Sequence, residues 1–135
     1  MLSNQIGEEA GQVTGTRVLP DEGAGPEIEM SIQENGTLLG VPVNEMCTFV
    51  SVVRPDGTLF AHGQGVATTD DGEMAPWQGE GAGRFTGHGT ASSWRGAIYF
   101  QTTAEKLAQL NGIAVVFELE IGEDGKTASK FYEWT

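Results

Sequence analysis

Apolar and polar residues alternate with a period of two along most of this chain, in segments broken by glycine-containing turn dipeptides. Asn35-Gly36, Asp56-Gly57, Asp71-Gly72 and Asp124-Gly125 are hairpin dipeptides, and Gly87-His88 suits a turn that needs glycine first. Between them the pattern predicts strands over residues 11–19, 27–34, 37–43, 46–53, 58–67, 74–85, 90–101, 113–121 and 127–134. The third is short and holds Pro42, so it is an edge or runs into the fourth through a bulge near Asn44. Such a meander predicts an all-β fold, a closed antiparallel β-barrel of about eight strands, built by residues 1–135 as one domain.

One short helix is expected before the last two strands, between Thr102 and Asn111. Thr102 and Glu105 have capping-box spacing, Ala104, Leu107, Ala108 and Leu110 are apolar, and Asn111-Gly112 can close the end. A helix in this place can plug or flank one mouth of a barrel. Residues 21–26 read as a mobile loop, and the first eight residues as a frayed end.

Turn length decides which face of each strand points inward, because a one-residue slip reverses the face. A two-residue loop at Gly87-His88 pairs Gly83 with Ser92, Gly81 with Trp94 and Trp77 with Ile98, and sets Glu80 against Arg95 on the other face. A two-residue loop at Asp71-Gly72 pairs His62 with Gly81 and Gln64 with Gly79. The competing three-residue loop sets Ala61 against Gly81 and Gly63 against Gly79, which leaves the apolar face almost without side chains, so packing favours the first. Pro55-Asp56-Gly57 suits a three-residue loop, with Phe60 facing Val52, His62 facing Val50 and Val66 facing Met46.

The interior expected from these registers holds Met46, Thr48, Val50, Val52, Phe60, His62, Gln64, Val66, Trp77, Phe85, Trp94, Ile98 and Phe100, joined by Ile113, Val115, Phe117, Leu119 and Ile121. His62, Gln64 and Trp94 are expected to converge over a bare column at Gly79, Gly81 and Gly83. The candidate ligand-binding residues are therefore His62, Gln64, Trp77, Trp94 and Phe60. His62 is the candidate catalytic group, because a neutral imidazole both donates and accepts a hydrogen bond.

Composition narrows the classes. Gly occupies 20 of 135 positions, too many for a helical bundle, and the formal charge of −12 repels phosphate backbones and anionic lipid, so neither nucleic acid nor membrane is an expected partner. A single cysteine, Cys47, allows no intrachain disulfide and reads as a small buried hydrophobe. With no basic and apolar leader in residues 1–11, a cytoplasmic location is expected.

Motifs for cofactor or metal chemistry fail on spacing. The third glycine of a dinucleotide fingerprint begun at Gly79 falls on Arg84, and Gly125-Lys126-Thr127 lacks the first glycine of a phosphate loop, where Glu120 stands. Two distant histidines and one cysteine make no zinc site, and Asp70, Asp71 and Glu73 lack the spacing of a calcium loop. No cofactor and no metal are expected, and no nucleophile elbow is present.

The stretches GEGAGRFTGHGTASSWRGAIYFQTT, from Gly79, and LNGIAVVFELEIGEDGKTASKFYEW, ending at Trp134, resemble a group of small uncharacterised bacterial proteins whose fold is similar to the allene oxide cyclase barrel. The resemblance implies an eight-stranded barrel that often self-associates, and it carries over no activity and no active-site residues. A homo-oligomer, most simply a dimer, is the implied assembly, with Tyr99, Val116, Tyr132 and Trp134 as outer apolar residues. Three functions stay open: a barrel that binds a small apolar molecule, a cyclase or isomerase that uses the barrel cavity, or a solid structural barrel.

Overall fold

A computed structural model describes residues 2–135, with side chains from Asn4 onward. Eight antiparallel strands close into a barrel in chain order: β1 (Leu2–Leu19), β2 (Glu27–Leu38), β3 (Val41–Val53), β4 (Thr58–Thr69), β5 (Met74–Phe85), β6 (Ser92–Phe100), β7 (Ala114–Ile121) and β8 (Lys126–Trp134). A 3-10 helix, Glu105–Leu110, precedes the last two strands. The barrel and its short helix are thus as the alternation pattern predicts.

Three boundaries differ from expectation. Residues 2–8, expected to fray, belong to β1 and pair with β8, closing the barrel. Asn35-Gly36 is no turn: β2 runs through it, pairing Asn35 with Asn44 and Gly36 with Val43, so the expected third and fourth strands are one continuous β3. The turn falls instead at Leu39-Gly40, with φ of 53° and 76° as a two-residue hairpin of this hand requires. Left-handed backbone costs a residue with a β-carbon ~1–2 kcal/mol. Leu39 offsets that cost by packing its half-buried side chain against the apolar end of the barrel.

The helix is also built differently. Its first residues receive no side-chain cap. Thr102 Oγ1 accepts from the Ala104 amide at 2.9 Å and donates to the Met74 carbonyl at 2.8 Å, while the Asn111 side chain bonds both the Thr102 amide and its carbonyl. The connection is thereby tied across the barrel mouth. Leu107 and Leu110 drop from it into a cluster with Leu38, Val43, Phe100 and Phe131, which plugs that end.

Two turn registers depart from the expected ones. The β4–β5 loop has three residues, 70–72, so Ala61 pairs with Gly81 and Gly63 with Gly79. The β5–β6 loop has four, 87–90, so Gly83 pairs with Trp94, Gly81 with Gly96 and Trp77 with Phe100. The β3–β4 loop follows the expected register, with Phe60 opposite Val52 and His62 opposite Val50. These residues nevertheless face outward.

The inward face of β3 and β4 is the odd-numbered set: Val43, Glu45, Cys47, Phe49 and Ser51, then Leu59, Ala61, Gly63, Gly65 and Ala67. The bare inner face rejected on packing grounds is the real one, because bulky residues from other strands lean across it. Trp77 lies over Gly65, Phe117 over Gly81 and Trp94 over Gly83, each so close that a β-carbon on the glycine would collide with the ring. A second cluster, with Met30, Ile32, Leu59, Trp94, Leu119 and Ile121, fills the end of the barrel away from the helix.

Candidate functional site: carboxylates inside the barrel

Between the two apolar clusters lies a polar layer. On β2 the inward residues run Ile32, Glu34, Gly36, Leu38, and on β3 Val43, Glu45, Cys47, Phe49, so one carboxylate interrupts each apolar column. Glu9 enters from β1, where Gly36 opposite it leaves room: a β-carbon there would lie 2.8 Å from Glu9 Cγ. Glu9, Glu34 and Glu45 are only 2%, 7% and 5% exposed.

Such groups need hydrogen bonds, because burying a charge or polar atom without them is costly. Glu34 has them. Thr127 Oγ1 donates to it at 2.6 Å, and Ser129 Oγ donates at 2.8 Å. Burial pushes the Glu34 carboxyl above its ordinary pKa, and the two hydroxyl donors work against that rise. Glu45 accepts one bond, from Trp77 Nε1 at 2.6 Å. No donor among the described residues reaches Glu45 Oε1 or either oxygen of Glu9.

The missing partner for Glu9 and Glu45 is a proton. Burial, reinforced by the neighbouring Glu45 charge, pushes Glu9 far above the carboxylate range and makes it the proton holder. Burial raises Glu45 as well, but the bond received from Glu9 and the Trp77 donor pull it back, so Glu45 is the accepting partner. One proton bridges two of the three bare oxygens and leaves the third without a donor. Cys47 stands beside this layer, and burial pushes its thiol upward, away from the reactive thiolate.

A cavity of about 70 Å³, taken as space open to the centres of water molecules, adjoins the layer. Glu34, Glu45, Trp77 and Ser129 form its polar end, and Phe49, Trp94, Phe117 and Leu119 its apolar end, with Phe49 and Trp94 packed edge to face at 5.6 Å. One water needs ~10–15 Å³ by this measure, so the space suits roughly five non-hydrogen atoms. Among the described residues no group of three or more His, Cys, Asp or Glu is arranged to hold a metal ion.

Of the residues singled out in the sequence, Trp77 and Trp94 lie inside and border the cavity. Phe60, His62 and Gln64 do not enter the barrel, and the interior convergence of His62, Gln64 and Trp94 is corrected. His62 is exposed, opposite Glu80, and the cavity lining reaches this outer pair only where Gly63, Gly79 and Gly81 leave the wall without side chains. Gln64 lies on the outer face and donates to the Thr48 carbonyl at 3.3 Å. Phe60 carries the Arg54 guanidinium over its ring at 4.7 Å. Arg95 is opposite Ala82 and Glu118, not Glu80, and it pairs with Glu120 at 2.8 Å and with Glu118 at 3.8 Å. Exposed pairs of this kind contribute no more than ~1 kcal/mol each.

The three glutamates are absent from the expected site. Their signal was present in the alternation: a carboxylate two residues from apolar neighbours in Met30-x-Ile32-x-Glu34 and Val43-x-Glu45-x-Cys47. Reading Asn35-Gly36 as a turn and residues 1–8 as frayed broke those columns.

Fold and interior together define a small closed barrel with acidic groups in its lumen. No protein-family model and no curated protein matches the chain. Solved structures do match in fold. A protein of unknown function from Clostridium acetobutylicum is similar with a TM-score of 0.81 at 15% identity, covering 98% of each chain. A conserved protein of unknown function from Rhodopseudomonas palustris gives 0.83 at 12%, over 98% of this chain and 97% of that one. A β-barrel-like protein from Acinetobacter baumannii gives 0.81 at 14%, over 98% and 94%. No function is assigned by these likenesses. No helix among the described residues is long and apolar enough to cross a membrane.

Proposed function

We propose that the barrel binds a small, largely apolar molecule in the cavity between its two apolar clusters. The observation that carries this reading is the cavity itself, walled by Phe49, Trp94, Phe117 and Leu119 and closed at one end by the carboxyls of Glu34 and Glu45. A solid structural barrel has no use for a buried, under-bonded carboxylate pair, which costs stability at each unmet acceptor. The polar anchors of this reading are Glu34 and Glu45.

Two of the chain's three tryptophans, Trp77 and Trp94, border the cavity, and Trp134 is exposed. In the Trp134→Phe protein, fluorescence therefore reports the lumen. Titration with 1-butanol, a probe of about the cavity's size, is expected to give a saturable change that Ala61→Leu, which fills the cavity, abolishes. Absence of a saturable change removes the binding reading.

A second reading, an isomerase or cyclase of the kind suggested by the allene oxide cyclase-like resemblance, draws on the Glu9–Glu45 pair. Two carboxyls whose surroundings make one hold and the other receive a proton are suited to general acid and base roles. Self-association is proposed through the outer faces of β6, β7 and β8. There Ala97, Val116 and Tyr132 form a cross-strand row, with Tyr99 and Trp134 exposed on the same strands. A cytoplasmic location accords with the lone Cys47.

A further inference from the structure

We infer that the cavity takes a small aliphatic ammonium ion, its nitrogen against Glu45 Oε1 and its apolar body among Phe49, Trp94, Phe117 and Leu119. The inference rests on the reading that the cavity binds a small molecule, and it names the chemistry of that molecule.

The first ground is a charge imbalance. Three carboxyls are buried in one layer, yet all seven Lys and Arg residues (Arg17, Arg54, Arg84, Arg95, Lys106, Lys126 and Lys130) and both histidines, His62 and His88, are exposed. Nothing basic among the described residues enters the barrel. Buried carboxylates are ordinarily matched by a cation or hydrogen-bonded on every oxygen. Here the matching cation has to come from outside the chain, or protons must take its place.

The second ground is geometric. The donors around the layer are already engaged: Trp77 Nε1 on one Glu45 oxygen, and the Thr127 and Ser129 hydroxyls on Glu34. Glu45 Oε1 has no donor except the proton that Glu9 holds, Glu9 does not line the cavity, and Glu45 borders it together with Glu34, its direct neighbour across β2 and β3. A group that enters from the cavity meets the carboxyl oxygens of Glu45 and Glu34. An anion is repelled, and a neutral alcohol supplies one donor but leaves the negative charge uncompensated in a medium of low dielectric. An ammonium supplies both charge and three donors.

Size and shape narrow the class further. A hard metal cation asks for six or more oxygen ligands, which this layer does not present. A guanidinium is planar and needs a wide bidentate acceptor, whereas roughly five non-hydrogen atoms fill the space. A short-chain primary amine meets each condition, with its chain lying along the aromatic wall.

The test compares n-butylammonium with 1-butanol, equal in size, on the Trp134→Phe protein in about 0.5 M salt, where attraction to the acidic outer surface is screened. The amine is expected to bind at least about tenfold more tightly, and Glu45→Gln to abolish the difference while leaving 1-butanol binding intact. Equal affinity in the parent protein overturns the ammonium inference and leaves the cavity reading standing. Binding of neither probe overturns the cavity reading itself. Should Glu45→Gln fail to fold, the comparison in the parent protein decides alone.

Discussion

Glu34 on β2 and Glu45 on β3 are direct cross-strand partners, and both side chains enter the barrel. Like charges placed opposite one another on a sheet destabilise it, and burial multiplies the effect. The arrangement persists because the carboxyls are treated unequally: Glu34 receives hydroxyl donors from β8, Glu45 receives the Trp77 indole, and Glu9 carries the proton.

Stability is expected to fall with rising pH. Glu9, Glu34 and Glu45 all hold protons more tightly when folded than an ordinary carboxyl does. Below the ordinary carboxylate pKa both states are protonated and their contribution is complete. Above it the unfolded chain ionises first, and each such group withdraws ~1.4 kcal/mol per pH unit until its folded form ionises too. Thermal unfolding should give a lower Tm at about pH 8 than at about pH 5. Surface repulsion in a chain of charge −12 acts in the same direction, so the difference from Glu9→Gln isolates the interior. That variant keeps the shape of a neutral acid without its titration, and its Tm should decline less steeply and exceed the parent's at the higher pH. An equally steep decline would show Glu9 to be ionised in the fold.

Gly65 opposes Trp77 across β4 and β5, and a β-carbon there would lie 2.5 Å from Trp77 Cε2 and 2.8 Å from Cys47 Cβ. Gly65→Ala must therefore push the indole away from Glu45, and overpacking of this kind costs ~1–3 kcal/mol. Chemical denaturation should show that loss, together with a shift in tryptophan emission as the Nε1 bond to Glu45 breaks. Unchanged stability would mean that the indole does not occupy the space over Gly65.

Cys47 points into the lumen beside three acidic groups, and burial together with their charge raises its pKa. The cavity is too small for an aromatic disulfide reagent. Native protein should therefore resist such a reagent, and the thiol should react only at the rate of unfolding. Rapid labelling of the folded protein would place Cys47 on the surface.

The antiparallel meander, the approximate strand positions and the helix before the last two strands were all legible in the sequence, because turn dipeptides and alternation are local properties of the chain. Which face lies inside was not. On β3 the alternate sets Met46, Thr48, Val50, Val52 and Cys47, Phe49, Ser51, Val53 are about equally apolar, so periodicity has no polar side to turn outward. The decision passed to loop lengths, where Asp70-Asp71-Gly72 admits either two or three residues, and to packing. Packing is where tertiary structure decides. The Gly63, Gly65, Gly79 and Gly81 face looks empty along the β4–β5 hairpin, yet in a closed barrel Trp77 of β5 lies over Gly65 and Phe117 of β7 lies over Gly81. The carboxylate layer has the same origin: Glu34 and Glu45 meet across the β2–β3 hairpin, but only the pairing of β1 with β2 and β8 brings Glu9 to their level in a closed lumen, where burial makes these groups hold protons.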